Sequence, residues 1–226
     1  YLGRDSDYLY YIGRDYTSDI MSPLKQVDGT SEGVKVIRNL SNSGGKIGKA
    51  RKIGGKLIFE TYDNDFGFEL WVTDGEEQGT YVLNDINPGP ASGGSLPAFG
   101  GEDFVSTLFF YGNDGTTGFE LWATDGTSEG TRLVKDINPG SQPSLPDDFA
   151  LIEDVALFAA TTAANGRELW RSDGTEAGTW LVKDISTLQV SDSSNPGQLL
   201  SLNGTVYYVA VDSAAGWALW KSDGTS

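Results

Sequence analysis

The chain has 226 residues, with 16 Lys or Arg against 32 Asp or Glu, so its formal net charge is −16 at pH 7. It has neither cysteine nor histidine, which excludes disulfides, zinc sites of the Cys/His type and Ser-His-Asp triads. The acidic composition disfavours nucleic acid and anionic lipid, which require basic patches. No apolar run is long enough to span a membrane. The favoured partners are cations, neutral glycans and basic proteins.

The first residues of the chain allow two interpretations. Residues 1–5 could form the first strand of the first repeat, with Ser6 and Asp7 as the following turn. Alternatively, the segment YLGRDS is similar to RLVKDI at 132–137. It could therefore complete the last repeat and remove an open sheet edge. Because the chain ends at Ser226 inside a turn, we expect it to be a fragment of a longer protein.

An Asp-Gly turn recurs along the whole chain and organises it. Successive copies are separated by 46 to 51 residues. A tryptophan precedes the aspartate by three positions in four copies, and Lys25 takes its place in the first copy. A repeat of this length is typical of propellers and related arrays. The aspartates are Asp28, Asp74, Asp125, Asp173 and Asp223, and the tryptophans are Trp71, Trp122, Trp170 and Trp220.

Each repeat reads as four short strands, which in the fourth copy are 149–152, 155–159, 168–171 and 180–185. The first two strands are joined by Glu153-Asp154, and sister copies have Gly54-Gly55 and Asn203-Gly204 at this point. Such pairs favour two-residue hairpin turns. The Asp-Gly turns predict Asx turns, in which the carboxylate accepts backbone N–H groups.

The sequence therefore predicts an all-β fold, a β-propeller with five blade-like repeats of about 50 residues. Each repeat would be an antiparallel four-stranded meander. The approximate blades are 1–40, 49–86, 98–137, 149–185 and 199–226, the last of which is incomplete. In the Glu-Leu-Trp triplet, Leu and Trp face opposite sides of the sheet. We expect neighbouring blades to cover both faces, so the repeated tryptophans should be buried.

The repeated motif ELWxxDGTxxGTxxVxDI closely resembles that of the ELWxxDGT-repeat family of bacterial proteins. The copies at Trp71, Trp122 and Trp170 match well, whereas the copy at Trp220 has Ala218 in place of Glu and the copy at Asp28 lacks Trp. The resemblance implies a β-propeller-like module of large secreted or surface-attached proteins, typically without assigned catalysis. It also implies an extracellular or cell-surface location.

Acidic loops are candidate Ca²⁺ sites, because calcium binds six to eight oxygen ligands. The candidate ligands are Asp63, Asp65, Glu69, Asp114 and Glu120. Their spacing matches no standard calcium loop, and a solvated hairpin tip would have the same composition. The repeated Asp85, Asp136 and Asp184, each followed by isoleucine, are interpreted as caps of the adjoining turn rather than as a ring of channel residues.

Four aromatic residues outside the shared pattern are candidates for stacking on sugar rings: Trp180, Trp217, Tyr62 and Tyr111. Filling of ordinary strand positions is the alternative for each of them. Cleavage of glycosides would need two carboxyl groups beside one bond. The acids outside the repeat are Glu60, Glu102, Asp103, Asp147, Asp148, Glu153, Asp154 and Asp192, and no pair among them stands out.

The expected function is a non-catalytic interaction or structural module with a protein or glycan partner at the cell surface. A glycan-binding lectin or adhesin is one alternative, and a glycoside-cleaving propeller enzyme is another. A lectin should carry similar aromatic residues in equivalent loops, whereas an enzyme should gather unique carboxylates in one cleft.

Overall fold

The computed structural model describes residues 3–4, 8–12, 21–30, 33–41, 47–96, 106–186 and 192–225. Within these residues the chain consists of antiparallel strands in five sheets and contains no helix, which confirms the predicted all-β propeller class. No helix in the part of the chain that the structure describes is long and apolar enough to cross a membrane.

The sheets follow the repeats along the chain. The first sheet contains β1 (Gly3–Arg4), β2 (Leu9–Ile12), β3 (Met21–Val27) and β4 (Val34–Ser41). The second contains β5 (Ile47–Ile53), β6 (Lys56–Asp63), β7 (Gly67–Thr73) and β8 (Tyr81–Val82). The third contains β9 (Gly94–Ser95), β10 (Leu108–Gly112), β11 (Glu120–Thr124) and β12 (Arg132–Lys135). Strands adjacent in sequence are adjacent in each of these sheets.

The last two sheets repeat the pattern. The fourth contains β13 (Asp147–Ile152), β14 (Val155–Thr162), β15 (Gly166–Ser172) and β16 (Trp180–Lys183). These strands match the four predicted for this copy. The fifth sheet contains three described strands, β17 (Gly197–Leu202), β18 (Thr205–Asp212) and β19 (Gly216–Ser222).

Gly3 and Arg4, close to the N-terminus, belong to the first sheet. Gly3 is paired with Tyr10, and Arg4 is paired with Leu9. This arrangement agrees with the first of the two interpretations, in which the N-terminus supplies a strand to its own repeat. The turn predicted at Ser6-Asp7 lies outside the described residues, as does 97–105, which includes the predicted start of the third blade.

The two-residue hairpin turns form where the sequence predicts them. Gly54 and Gly55 have φ angles of 53° and 80°, and Asn203 and Gly204 have φ angles of 51° and 73°. Type I′ turns require positive φ at both central residues, and Asn and Gly reach that region at low cost. Glu153 in the equivalent turn also has a positive φ, of 53°. This conformation is less favourable for glutamate than for asparagine or glycine.

The described chain groups into two compact units, the first built mainly on Tyr1–Leu96 and the second mainly on Arg132–Ser226. In the first unit, Leu24 of the first sheet belongs to one core with Leu57, Phe59 and Trp71 of the second sheet. In the second unit, Leu169 of the fourth sheet belongs to one core with residues of the fifth sheet, namely Val206, Tyr208 and Ala210. In both units the leucine of one sheet therefore packs on the second and third strands of the next.

Basic side chains connect a sheet to the Asp-Gly turn of the following sheet. They donate hydrogen bonds to backbone carbonyl oxygens, and Lys35 also pairs with the Glu76 carboxylate at 2.6 Å. The connections are Lys35 Nζ to Gly75 O at 3.1 Å, Lys56 Nζ to Gly126 O at 3.2 Å, Arg132 Nη2 to Gly174 O at 2.9 Å and Lys135 Nζ to Thr179 O at 3.0 Å. Several of the chain's 16 basic residues therefore help to hold these turns in place.

Candidate functional site

The glutamate of the Glu-Leu-Trp triplet lies in a buried pocket of hydrogen-bond donors. The backbone N–H of Ile137 donates to Glu120 Oε2 at 2.8 Å, and the backbone N–H of Ser144 donates to Oε1 at 2.8 Å. The Ser144 hydroxyl also donates to Oε2. Burial raises the pKa of Glu120, while the hydrogen bonds from Ser144 and Ile137 oppose that rise. Glu120 thus joins the end of one repeat to the start of the next.

Glu168 in the fourth sheet repeats this arrangement. Its carboxylate accepts the N–H of Ile185 at 3.1 Å and the N–H of Ser194 at 2.8 Å. The Ser194 hydroxyl donates to the same oxygen as its counterpart in the third sheet. Two copies of the motif therefore use their glutamate to bind backbone, and neither carboxylate faces solvent.

Glu69 occupies the same position in the second sheet without the hydroxyl donor. Its Oε1 receives the N–H of Asn87 at 3.4 Å, and its buried Oε2 has no hydrogen-bond partner among the described residues. Burial raises the pKa of Glu69 to about 8 and the neighbouring Asp85 charge adds to the rise, while the backbone N–H groups of Asn87, Gly93 and Ile86 oppose it.

The missing hydroxyl is explained by Gly93, which stands eight residues after Asp85 as Ser144 stands eight residues after Asp136. A Cβ atom at Gly93 would overlap Glu69 Oε1 and would lie 2.7 Å from the backbone nitrogen of Asn87. The connection therefore leaves no room for a serine beside the carboxylate.

The nearby Ser95 serves a different acid. Its hydroxyl donates to Glu60 Oε1 at 2.8 Å, and the N–H of Lys49 donates to Glu60 Oε2 at 2.9 Å. The N–H of Leu96 donates to Glu60 as well. Glu60 is buried, and Ala159 and Val209 stand at its position in the fourth and fifth sheets, opposite the triplet leucine. Glu60 is therefore a structural acid particular to the second sheet.

The repeated Asp-Gly aspartates form Asx turns. Asp125 Oδ1 accepts the N–H of Thr127 at 2.9 Å and its hydroxyl at 2.6 Å. These bonds lower the pKa of Asp125. Asp28, Asp74, Asp173 and Asp223 accept the equivalent N–H at 2.9 to 3.0 Å. The turn chemistry accounts for the repetition of this aspartate.

The repeated tryptophans occupy equivalent strand positions. Trp71, Trp122 and Trp170 are buried, as packing between sheets requires, and Trp220 is half-buried. The indole N–H groups have no acceptor among the described residues. The Arg38 guanidinium lies 5.7 Å from the Trp71 ring centroid, so a cation covers part of this ring.

The candidate calcium ligands lie in different environments. Asp63 is buried and accepts the N–H of Asp65 at 2.9 Å, whereas Asp65 is exposed. Burial acts to raise the pKa of Asp114, but the hydrogen bonds that it accepts from Thr117 and Thr116 together outweigh burial and lower the pKa to about 2. Glu69 and Glu120 lie in the buried pockets described above. Within the described residues, no group of three or more acidic side chains is arranged to hold a metal ion.

Two of the three aspartates interpreted as turn caps accept a backbone N–H, and the third accepts a side-chain amide. Asp85 and Asp136 each accept an N–H four residues ahead, at 3.3 and 3.4 Å, and Asp184 accepts the side-chain amide of Asn165 at 2.9 Å. The first two bonds are those of turn caps. One carboxylate oxygen of each aspartate is buried and has no partner among the described residues.

The four aromatic candidates for sugar binding differ in exposure. Tyr62 is half-buried, and Tyr111 is half-buried with its ring edge-on to Phe119 at 5.7 Å. The Trp180 ring is covered by the Arg171 guanidinium at 4.1 Å. Trp217 is 68% exposed and lines an open groove of about 630 Å³. Of the four, Trp217 presents the most accessible ring.

Polar groups stand beside Trp217 in this groove. The lining includes Asp148, Asn195 and Gln198, together with Val209 and Leu219. Burial raises the pKa of Asp148, the adjacent Asp147 also raises it, and Arg167 opposes the change. The other acids considered for catalysis do not join this groove, and Glu102 and Asp103 lie outside the described residues.

The sequence interpretation missed two features. The serines that bind the buried glutamates were not recognised, although Ser144 and Ser194 share a Ser-x-Pro signal. An apolar face of the fifth sheet was also missed. We call Leu200, Leu202, Val209, Trp217 and Leu219 the open face of the fifth sheet; four are exposed and Val209 is half-buried. Alternation of exposed positions along β17 and β19 carries the signal, but the exposure itself is seen only in the structure.

Comparisons with known proteins support the fold. No family model matches the chain, and no curated protein sequence matches it. A crystal structure of puromycin hydrolase is similar over 91% of this chain and 32% of that protein, with 14% identity and a TM-score of 0.51. A structure from a study of two prolyl endopeptidases is similar over 99% of this chain and 32% of that protein, with 15% identity and a TM-score of 0.54.

A third similar structure is a puromycin-hydrolyzing peptidase of Mycobacterium tuberculosis, with 11% identity, a TM-score of 0.50 and coverage of 98% of this chain and 37% of that protein. The chain therefore spans about a third of the length of these proteins. At such identities the likeness concerns the fold alone, and the neighbours are β-propeller domains. The chain has the β-propeller fold.

Proposed function

We propose that the chain is a non-catalytic interaction module of the ELWxxDGT-repeat type, acting outside a bacterial cell or on its surface. The observation that carries this proposal is the open face of the fifth sheet. Leu219 is 73% exposed, whereas Leu24, Leu70, Leu121 and Leu169 at the same place in the other sheets are at most 1% exposed. Among the described residues this face is uncovered, and exposed apolar faces are typical of surfaces that pack against another protein surface.

The environments of the acidic residues support a non-catalytic role. Glu60, Glu120 and Glu168 are buried, and both oxygens of each carboxylate accept hydrogen bonds from neighbouring N–H or hydroxyl groups. A glycoside-cleaving site needs two carboxyl groups that can reach one bond. The groove at Trp217 is lined by a single acidic side chain, Asp148.

The catalytic alternative can be tested directly. The protein would be incubated with a panel of chromogenic glycosides, alongside the Asp148→Asn variant and an Asp154→Asn control at an exposed hairpin. We expect no turnover above the buffer blank for any of the three proteins. Turnover by the wild type and the control that is lost in Asp148→Asn would overturn the non-catalytic role.

Glycan binding is a second candidate function, favoured by Trp217. An exposed tryptophan can stack on the apolar face of a sugar ring, while Asp148, Asn195 and Gln198 could accept and donate hydrogen bonds to its hydroxyl groups. A glycan array probed with wild type and with Trp217→Ala tests this function. Reproducible binding that requires Trp217 would support it, and an array without signal would exclude the represented glycans.

A further inference from the structure

A pocket of about 360 Å³ lies between the first and second sheets, within the first unit. It opens beside the Asp-Gly turns of these two sheets, whose aspartates are exposed. Asp125 and Asp173 in the turns of the third and fourth sheets are exposed as well, so this edge faces solvent in interior repeats of the chain too. We call this cavity the Tyr10 pocket, and its lining includes Tyr8, Tyr10, Gln26, Asp28, Lys35 and Asp74.

Two buried polar side chains line the Tyr10 pocket. Tyr10 and Gln26 are 4% and 8% exposed, and Gln26 Nε2 donates a hydrogen bond to the Tyr10 hydroxyl at 3.2 Å. Cross-strand pairing places Ile58 and Val72 at these two positions in the second sheet, where both are fully buried. An apolar pair is therefore sufficient for packing at this place in the repeat, and packing alone does not require the polar pair of the first sheet.

The two pairs face the same glycine of the following Asp-Gly turn. A Cβ atom on Gly75 would lie 3.1 Å from the Tyr10 hydroxyl oxygen and 3.2 Å from Gln26 Nε2. A Cβ atom on the equivalent Gly126 would lie 4.0 Å from Ile58 Cδ1. The turn thus meets polar atoms at the first junction and methyl groups at the second, so the Tyr10 pocket differs in chemistry from the next junction of the same unit.

Hydrogen-bond acceptors predominate in the Tyr10 pocket. Gln26 makes one side-chain hydrogen bond among the described residues, the bond to Tyr10, so its carbonyl oxygen is available to a ligand. Asp28 and Asp74 each use Oδ1 for their Asx turns, which leaves Oδ2 available. Lys35 Nζ is already engaged by Glu76 at 2.6 Å and by the Gly75 carbonyl oxygen at 3.1 Å.

The charges of the lining favour a cationic ligand. Asp28, Asp74 and Glu76 contribute three carboxylates, against the single ammonium group of Lys35. Within the described residues no three acidic side chains are close enough together to hold a metal ion. Acceptors that are spread around a pocket suit a planar cation with several N–H donors, which is the chemistry of a guanidinium group. The partly exposed ring of Tyr8 can contact the face of such a cation.

We propose that the Tyr10 pocket binds a guanidinium group, as carried by an arginine side chain of a partner protein. The Gln26 carbonyl oxygen and the Oδ2 atoms of Asp28 and Asp74 accept its N–H groups. The net charge of −16 attracts a cationic partner from a distance. This inference goes beyond the proposed function, because the pocket shares no residue with the open face of the fifth sheet.

A ligand-observed NMR titration of the whole chain with Nα-acetylarginine amide tests the proposal. The matched probes are the citrulline derivative, which keeps the shape of arginine without its charge, and the lysine derivative. We expect the arginine derivative to bind, the other two to bind about tenfold more weakly, and sodium chloride to weaken binding. Absence of arginine binding, or equal binding of the citrulline derivative, would overturn the proposal. Tighter binding of the lysine derivative would overturn the guanidinium assignment.

A pair of turn variants locates the site. Asp74→Asn and Asp125→Asn both retain a side-chain oxygen for the Asx turn, but only Asp74 lines the Tyr10 pocket. We expect Asp74→Asn to weaken binding of the arginine derivative by about tenfold and Asp125→Asn to bind it as the wild type does. Equal affinities of the wild type and Asp74→Asn would contradict the proposed site.

A double variant tests the polar pair itself. Tyr10→Ile with Gln26→Val copies the apolar pair of the second sheet, and thermal melts establish that the variant is folded. We expect it to lose binding of the arginine derivative, and retained binding would overturn the proposal. Calcium chloride is the last arm of the titration. Displacement of the arginine derivative by calcium, but not by sodium chloride of the same ionic strength, would assign the pocket to a metal ion instead.

Discussion

Glu120 and Glu69 occupy the same position of the repeat, but their surroundings differ. Glu120 accepts hydrogen bonds at both oxygens, including the hydroxyl of Ser144. Glu69 faces Gly93 where the serine would stand, and its Oε2 has no partner among the described residues. One short motif can therefore hold a carboxylate that binds backbone in one sheet and a carboxylate that favours the protonated form in another.

Substitution by glutamine at Glu120 and at Glu69 should give the largest difference in the free energy of unfolding. Glu120→Gln replaces an acceptor oxygen by an amide that faces N–H and hydroxyl donors, and we expect it to lower the free energy of unfolding by about 2–3 kcal/mol. Glu69→Gln is the matched control and should change it by less than about 1 kcal/mol near neutral pH. Urea unfolding measures both values. Equal losses would show that the two pockets are energetically alike.

The pH dependence of the free energy of unfolding should distinguish Glu69 from Glu120 and Glu168. The pKa of Glu69 rises from 4.5 to about 8 on folding, so the folded state binds the proton more tightly than the unfolded state. The stability gained from this proton is fully present below pH 4.5 and is lost as the pH rises through about 8. Glu69→Gln should flatten that decline.

Urea unfolding at a series of pH values across this window measures the slope. The Ser95→Ala variant is the control, because its hydroxyl donates to Glu60 rather than to Glu69. It should retain the wild-type slope. A decline of equal steepness in Glu69→Gln would contradict the assignment to this carboxyl group.

Removal of the Ser144 hydroxyl should make the surroundings of Glu120 more like those of Glu69. Ser144→Ala removes the hydroxyl donor to Glu120 Oε2 and leaves the two backbone donors in place. We expect a loss of about 1–2 kcal/mol and a steeper decline of stability with rising pH, because the already raised pKa of Glu120 would rise further. Chemical denaturation at low and high pH measures both effects, and a loss without pH dependence would refute the role of the hydroxyl.

The smallest effect is expected in the Asp-Gly turns, which resemble one another in all copies. Asp125→Ala removes the acceptor of the Thr127 N–H, and we expect a loss of about 1 kcal/mol, as for a helix N-cap. Asp154→Ala at an exposed hairpin should change stability by less than about 0.5 kcal/mol. Thermal melts compare the two variants, and equal melting temperatures would indicate that the Asx turn contributes nothing.

The pockets of the buried glutamates also show how much of the structure can be predicted from the sequence. The five sheets and their hairpins were predicted because periodicity and turn residues are local signals. The Ser-x-Pro signal finds Ser144 and Ser194, but it would have assigned Ser95 to Glu69. Glu60 is buried within reach of Ser95 and receives its hydroxyl instead. Competition between two acids for one donor depends on packing across strands, and no local pattern expresses it.

Exposure was harder to predict than strand position. Leu169 and Leu219 occupy the same place in the motif, yet the first is buried and the second is exposed. The difference comes from the sheet that covers Leu169, not from any neighbouring residue in the sequence. The binding candidate Trp217 could be selected as an aromatic residue outside the pattern. Its groove with Asp148 and Asn195 requires the three-dimensional arrangement.

The basic residues that donate to the Asp-Gly turns have a consequence for local opening. Gly75 O and Thr80 O of the second sheet's turn are bound by Lys35 and Arg38 of the first sheet. Loss of the first sheet would therefore remove these two bonds and leave the turn held by its own hydrogen bonds alone, even while the strands of the second sheet stay paired. Amide hydrogen exchange in the turn between Gly75 and Thr80 should then report the opening of the preceding sheet. The order of exchange along the chain would reveal whether the repeats open one after another or all together.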